Sequence, residues 1–550
     1  MNQEDAAPSA KRTMADERGM AAVWMALTLF VLLGVSAIAV DLVHAILVQQ
    51  ETQNAADAAS LGGVVFLPAD PANAVSRAQA IASSNGFTNG VNGTVVSATQ
   101  QAVPSRLKVD VKRSFPTLFA RVLGFNSLTV HKSAIADYDQ PVAMGSPSNT
   151  FGNQPDCSNP CTNSPGSENP QLWFNVAGPL STKVSGDAFT STLCNVNGTT
   201  PDNCPGTANG NTDYDGKGYD YVVHDSGTSG LVDIQVFDPA FVGVNDKCDD
   251  PSLAALYAST GNNPRYATGS ASQYCTGDQY FSYSDPYANK PPPTTQYTVT
   301  WDPGTPWTTS DDTFVCSKTF TGFKDAQTAY ADTSNGRPNF RQWVSICPQQ
   351  PAQPGSAAGD YLLNVNTLSG AGHNRGAIRA KLNNSLNAPA LSVYARSRMS
   401  LYANATASNP QFYLARVLPG SAGRTLIVTF YDTGDADLAG TIKVRPPADS
   451  NYLQFSKCEY TPPPGNSTGP PWGTYQATGG SDCSQSGVSS ATDWNGQWVS
   501  WKVPIPGNYT CDATKSSGCW VKLQMSFPGG VADTTTWTAS LSGNPVRLVQ

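Results

Sequence analysis

Two acidic turns are the places where this chain could hold a cation. In Asn211 to Tyr221, NTDYDGKGYDY, the oxygen-bearing residues Asn211, Asp213 and Asp215 alternate along the chain and Gly216 supplies a turn. Hard carboxylate and amide oxygens at that spacing resemble the first half of a calcium loop. The twelfth position, where a bidentate glutamate would close such a loop, is Val222, which argues against an EF-hand. What is left is an irregular calcium loop, set against the plain alternative of an Asn/Asp/Gly turn between strands. A second turn, with Asp432, Asp435 and Asp437, follows a strand-like run from Thr425 to Tyr431 and offers the same chemistry. Calcium is thus the one candidate cofactor, and no other is expected.

The remaining chemical signals are weaker. GNSTG (Gly465 to Gly469) has the form of a nucleophile elbow, but prolines on both sides of TPPPGNSTGPPWG forbid the helix that must follow such a serine. Of four histidines, only His224 and His373 lie beyond the first 140 residues, and no acid pair or nucleophile-base spacing accompanies them. The C-terminal part concentrates tryptophans (Trp472, Trp494, Trp498, Trp501, Trp520 and Trp537), which could stack on sugar rings if exposed. Trp498, Trp520 and Trp537 fall inside strand-like runs and read as core. The expectation is a protein that is not an enzyme, with a carbohydrate-binding or hydrolytic ectodomain as the rival.

These residues are positioned by a chain with one dominant feature. Gly19 to Val40 is an apolar run of 22 residues without an ionisable side chain. At about 1.5 Å per residue it spans roughly 33 Å, enough for a hydrocarbon core of about 30 Å, and it passes into a helix-forming segment without a signal-peptide cut point. Lys11, Arg12 and Arg18 precede it, and no Lys or Arg follows from Asp41 until Arg77, so the N-terminus is expected in the cytoplasm and the rest outside. Cysteine usage agrees, since all 12 lie beyond Asp156. Sequential pairing is the simplest arrangement: Cys157 with Cys161, Cys194 with Cys204, Cys248 with Cys275, Cys316 with Cys347, Cys458 with Cys483 and Cys511 with Cys519. Sequence alone leaves that connectivity open. A net charge of -8 without a basic cluster argues against nucleic acid as a partner.

Beyond the span, helical spacing continues to about Gly62, and a second helix is expected over 71–84, stopped by Asn85-Gly86. Strands are expected near 94–99, 106–112 and 127–136, with FPTLFARVL (Phe115 to Leu123) as a short amphipathic helix between the last two. An apolar helix opening at Arg18-Gly19, Asp41 at its outer end and QNAADAASLGG (Gln53 to Gly63) resemble the TadE/TadG-like N-terminal domain of Flp pilus-assembly proteins of the bacterial tight-adherence system. Asn85-Gly86 and FARVLGF (Phe119 to Phe125) fit the same pattern. The resemblance covers about residues 14–138 and implies a partnership with other pilus-assembly or pseudopilin subunits. Processed pseudopilins carry a glutamate five residues after the cleavage glycine, where this chain has Trp24. With its long extension, it is therefore more similar to the anchored TadG type. A von Willebrand A domain, common in that type, is not expected, because DTSNG (Asp332 to Gly336) lacks the final serine of DxSxS.

The expected order is a cytoplasmic tail (1–18), a transmembrane helix (19–41), a membrane-proximal α+β module (42–138), a linker (139–169) and two tandem β-sandwich, jelly-roll-like domains (170–398 and 399–550). The tandem reading rests on two echoes. LVDIQVFDPA (Leu231 to Ala240) is similar to TLIVTFYDTGDA (Thr425 to Ala436), and RQWVSI (Arg341 to Ile346) to GQWVSW (Gly496 to Trp501). The function expected is a single-pass cell-membrane protein of Flp-type pilus assembly or surface adhesion, with surface glycans as a further candidate partner.

Overall fold

From Ala15 the backbone runs as one helix, α1 (Ala15–Val64), because nothing between the apolar run and Gly62-Gly63 breaks it. The computed structural model describes residues 15–67, 71–101, 106–138, 142–155, 171–190, 211, 213–214, 216–226, 230–270, 272–280, 290–302, 312–348, 350–352, 359–408, 411–461, 475–479, 481–489, 494, 496–542 and 546–548. They fall into two compact units, Met1–Gln140 with Gly543–Gln550, and Pro141–Ser542.

In the first unit, α1 is followed by α2 (Pro71–Ser84), β1 (Thr94–Gln100), β2 (Arg106–Pro116) and β3 (Ser127–Tyr138). A last strand, Val546–Leu548, pairs with β3, giving an antiparallel sheet in the order β1, β2, β3, last strand. One face of α1, carrying Val48, Thr52, Ala55 and Ala59 at helical spacing, is buried against this sheet and α2. The alanine-rich signature has a steric cause. A Cβ on Gly63 would stand 2.7 Å from the Ala74 carbonyl oxygen and 2.6 Å from Leu107 Cδ2, so α1 meets α2 and the sheet only where no side chain intervenes. α2 answers with Ala74, Ala78 and Ala82, one stripe at i, i+4, i+8. It ends as expected, with Gly86 in the left-handed region (φ +87°) and the Phe87 amide donating to the Ala82 carbonyl.

The second unit is β-rich. Strands Thr313–Thr321, Thr294–Asp302, Gly359–Ser369, Tyr219–Asp225, Leu391–Arg396 and Ala143–Met144 form one antiparallel sheet in that order. It packs on Trp343–Ser345, Gly230–Phe237 and His373–Leu382, with Tyr221, Val223, Leu363, Ile234 and Ile378 buried between. The C-terminal half repeats this plan. Ser484–Val488, Gly440–Arg445, the first half of Trp520–Leu541, and Gln411–Arg416 face Trp498–Pro504, Thr425–Tyr431 and the second half of Trp520–Leu541. The long strand Trp520–Leu541 serves both sheets. It changes partners around Pro528-Gly529-Gly530, opposite a bulge at Thr406/Ser408, which is how a sandwich turns a corner.

The two sequence echoes are the same local structure. Trp343 pairs with Phe237, Val344 with Val236 and Ser345 with Gln235; Trp498 pairs with Tyr431, Val499 with Phe430 and Ser500 with Thr429. Each strand then ends in an aspartate with positive φ, Asp238 (+53°) and Asp432 (+59°). Asp238 accepts from the Arg341 amide at 2.8 Å, and Asp432 from the Gly496 amide at 2.6 Å.

The expected boundary between separate sandwiches is not where the chain divides. Strand Arg398–Ser408 begins at that boundary and pairs with Gln171–Ala177 on one side and with Trp520–Leu541 on the other, so one sheet and one core run through both halves. Nor is 142–155 a linker: Val142, Met144 and Phe151 are buried in that core. The C-terminal strand belongs to the first unit, which makes Pro141–Ser542 an insertion between β3 and the last strand. The described disulfides are Cys248–Cys275, Cys316–Cys347, Cys458–Cys483 and Cys511–Cys519, two in each half, and none of them joins the halves. Cys157, Cys161, Cys194 and Cys204 lie outside the described residues.

Candidate functional site

The first acidic turn is held by protein groups. Asn211 Nδ2 donates to the carbonyls of Ala188 and Thr190, both at 2.7 Å, and its Oδ1 accepts from the Asp213 amide. Asp213 Oδ2 receives the Lys183 ammonium at 2.6 Å and the Trp498 indole N–H at 3.1 Å. Lys183 also lies over the Tyr431 and Trp498 rings, so a cation already occupies this carboxylate. Asp215 lies outside the described residues. In the second turn, Asp432 accepts from the Gly496 amide, Asp437 Oδ2 accepts from the Gly530 amide at 3.1 Å, and Asp435 is half-buried. Both turns therefore fasten the Gly496–Trp498 segment, through Asp432 and Asp213. Among the described residues, no group of three His, Cys, Asp or Glu is placed to hold a metal ion.

The structure gathers other carboxylates that lie far apart in sequence. Asp278 accepts from the amides of Val242 and Arg375, each at 2.8 Å, and Asp238 accepts from the Thr276 hydroxyl as well as the Arg341 amide. Burial pushes Asp238 up to about 6 against the pull of Arg341, and burial together with the charge of Asp238 pushes Asp278 well above the usual carboxylate range. Asp435 is likewise raised to about 6 by burial and by Asp246, and Asp533 is raised by burial and by Asp435. Arg375 joins Asp278, through its amide, to Asp246. Its guanidinium donates to Asp246 at 2.8 Å and to Thr534 Oγ1 at 2.9 Å, and it stacks 3.6 Å over the Tyr402 ring. Raised carboxylates of this kind are what acid catalysis uses in an open cleft. Here Asp238, Asp278 and Asp533 are almost fully buried and accept from backbone amides, so they fasten strands and loops.

The remaining candidates are also structural. Trp494, Trp498, Trp501, Trp520 and Trp537 are all buried, which removes these five as a sugar platform, and Trp472 lies outside the described residues. GNSTG falls outside them too. His373 is buried and held neutral by burial and by Arg375. His224 pairs with Asp360 at 2.7 Å; burial alone would lower it, but the hydrogen bond and charge of Asp360 raise it.

The most specific polar constellation lies in the first unit. Asp41, 5% exposed, accepts three backbone hydrogen bonds: Oδ1 from Leu118 at 2.7 Å, and Oδ2 from Phe119 at 3.0 Å and Ala120 at 2.6 Å. The expected helix over Phe115 to Leu123 shrinks accordingly. β2 continues to Pro116, and only Ala120–Leu123 winds into a 3₁₀ turn, whose first amides the carboxylate satisfies. Around this anchor the hairpin tip presents Leu118, Phe119, Val122 and Phe125 to the exterior. Ring contact between His44 and Phe115 and a hydrogen bond from Gln53 Nε2 to the Ser133 carbonyl continue the attachment along α1. The helix itself is long and apolar enough to cross a membrane, and its large apolar side chains from Met20 to Leu47 face outward.

Residues 19–80 match the Tad family model, described as Flp pilus-assembly TadE/G-like, which covers the apolar part of α1, the Gln53–Gly63 signature and most of α2. No curated protein and no solved structure matches the chain.

Proposed function

We propose that the chain is a single-pass, non-catalytic component of Flp/Tad-type pilus assembly or surface attachment. Its N-terminus lies in the cytoplasm and the Pro141–Ser542 unit outside the membrane. The observation that carries this reading is the position of the Tad match: it falls on α1 and α2, where an outward-facing apolar helix passes directly into a face packed against a small module. In this reading α1 anchors, the module engages other pilus-assembly or pseudopilin subunits, and the inserted β unit is a disulfide-braced spacer or contact surface. Trp24 stands where a processed pseudopilin has its glutamate, and it supports retention of the anchor.

Replacing residues 141–542 by a short linker, which leaves β3 and the last strand able to pair, should abolish attachment or pilus display while the truncated protein still reaches the membrane. Unchanged attachment would overturn the assignment of that role to the β unit. Measurable hydrolysis of a glycan by the full protein would favour the rival hydrolytic reading.

A further inference from the structure

We propose that the β2–β3 tip, residues 117–126, is a second membrane contact that inserts its apolar side chains into the outer leaflet beside α1. It rests on the reading of α1 as the anchor. Val122 is 84% exposed and Phe125 65% exposed, and Leu118, Phe119 and Leu128 add to one unpartnered apolar tip. An exposed cluster of this kind on a soluble surface would be an aggregation hazard, so its placement decides its meaning.

That placement is fixed by Asp41. Its carboxylate holds the amides of Leu118, Phe119 and Ala120, so the tip lies at the level of that turn of α1. The helix surface there is itself apolar and outward-facing, with Val40, Leu42, Val43, Ile46 and Leu47 exposed. From Met20 to Leu47 the helix presents large apolar side chains outward over 28 residues. That is about 42 Å of helix, against about 30 Å of hydrocarbon. The last turns therefore reach the interfacial layer, and the tip shares their depth and polarity. Asp41 can lie there because its charge is spent on three backbone N–H groups instead of facing lipid.

The hairpin also carries a basic layer above its apolar end. Ser114 pairs with Thr129, and the next pairs are Arg113 with Val130 and Lys112 with His131, about 3 and 7 Å further from the tip at roughly 3.4 Å per residue; Arg113 is held by the Gly86 carbonyl and the Phe87 ring. Lys112 is exposed, as is Arg121 within the tip, and Asp110 is already engaged by Lys108 and His131. Apolar side chains reaching 5 to 10 Å deep beneath cationic ones is the arrangement of an interfacial anchor on anionic lipid. A lipid surface explains both layers at once, and it is continuous with the surface that α1 already presents.

The test uses the full chain in vesicles of phosphatidylcholine and phosphatidylglycerol, with an environment-sensitive fluorophore on Val122→Cys. Matched proteins carry it on Leu32→Cys, in the span, or on Ala72→Cys, exposed at the far end of α2. The fluorophore at 122 should lose emission roughly twofold when brominated lipid is included, as should that at 32, while that at 72 should respond only to aqueous iodide. Quenching at 32 without quenching at 122 would overturn the second contact and leave the anchor standing. Loss of lipid quenching at both would overturn the anchor and this proposal with it. Blue-shifted emission at 122 that neither quencher reaches would mean a protein covers the tip, and would also overturn it.

Discussion

Asp41→Ala should release the β2–β3 tip without unfolding the rest of the chain. The carboxylate accepts three amide hydrogen bonds of 2.6 to 3.0 Å, from Leu118, Phe119 and Ala120, and among the described residues no other side chain accepts from those amides. A hydrogen bond to a charged group contributes about 1.5 to 3 kcal/mol, and bonds to one carboxylate are not additive, so the loss should be about 3 to 5 kcal/mol locally. At about 1.4 kcal/mol per tenfold change, the exchange of those three amides should accelerate at least 100-fold. Hydrogen exchange with mass spectrometry on the detergent-solubilised full chain reads this in peptides covering 115–126. Asp41→Asn, which keeps one acceptor oxygen, should fall between the two. Peptides from Pro141–Ser542 should be unchanged in both variants. Protection of 118–120 that stays within threefold of the parent in Asp41→Ala would refute the idea that this carboxylate fixes the tip.

Gly63→Ala should destabilise the first unit by about 1 to 3 kcal/mol, because the added Cβ meets the Ala74 carbonyl oxygen at 2.7 Å and that backbone cannot yield cheaply; limited proteolysis in detergent reads it. Asp435 has a folded-state pKa of about 6, above its ordinary 3.8, so the folded state holds more protons between those values and stability falls as pH rises through them. Asp435→Asn should reduce that slope, to which Asp238, Asp278 and Asp533 also contribute, and raise stability at pH 7 by at most about 3 kcal/mol; an unchanged pH-Tm profile would refute the burial argument. Non-reducing peptide mapping should recover Cys248–Cys275, Cys316–Cys347, Cys458–Cys483 and Cys511–Cys519 with no link between the halves of the β unit. Millimolar calcium should leave Tm unchanged, since Lys183 already neutralises Asp213; a rise of several degrees reversed by chelator would contradict that.

The first unit is largely legible because its signals are local. Apolar run, helical spacing, the Asn85-Gly86 stop and period-two strands each declare themselves within a few residues, and β1, β2, β3 and α2 start where expected. What failed there was long-range. FPTLFARVL has the composition of an amphipathic helix, and only a carboxylate 77 to 79 residues away, capturing three consecutive amides, explains why one turn forms in place of it. The return of Val546–Leu548 to β3 was likewise invisible, since three residues carry no pattern. In the β unit, the echoes Phe237-Asp238 with Gln342-Trp343 and Tyr431-Asp432 with Gln497-Trp498 were readable and mark equivalent strand pairs. A clean cut between halves is what they imply, and it is absent, because a strand shared between two sheets looks like any other strand. At the acidic turns, spacing shows which oxygens are near one another, while Lys183, which binds Asp213, comes from a distant 3₁₀ turn that sequence spacing does not show. The same distance hid the approach of Asp435 to Asp246 and Asp533, which only the fold brings together.

The central claim is that one N-terminal helix holds the chain in the membrane with the β unit outside. Protease treatment of intact spheroplasts, followed by detection with antibodies to the N-terminus and to the β unit, tests it in one experiment. The N-terminal tail and α1 should remain membrane-bound and protected while fragments from Pro141–Ser542 are released or degraded, and lysis should be needed to remove the tail. Full protection of the β unit until lysis, or recovery of a soluble chain whose N-terminus begins at Met20, would contradict it.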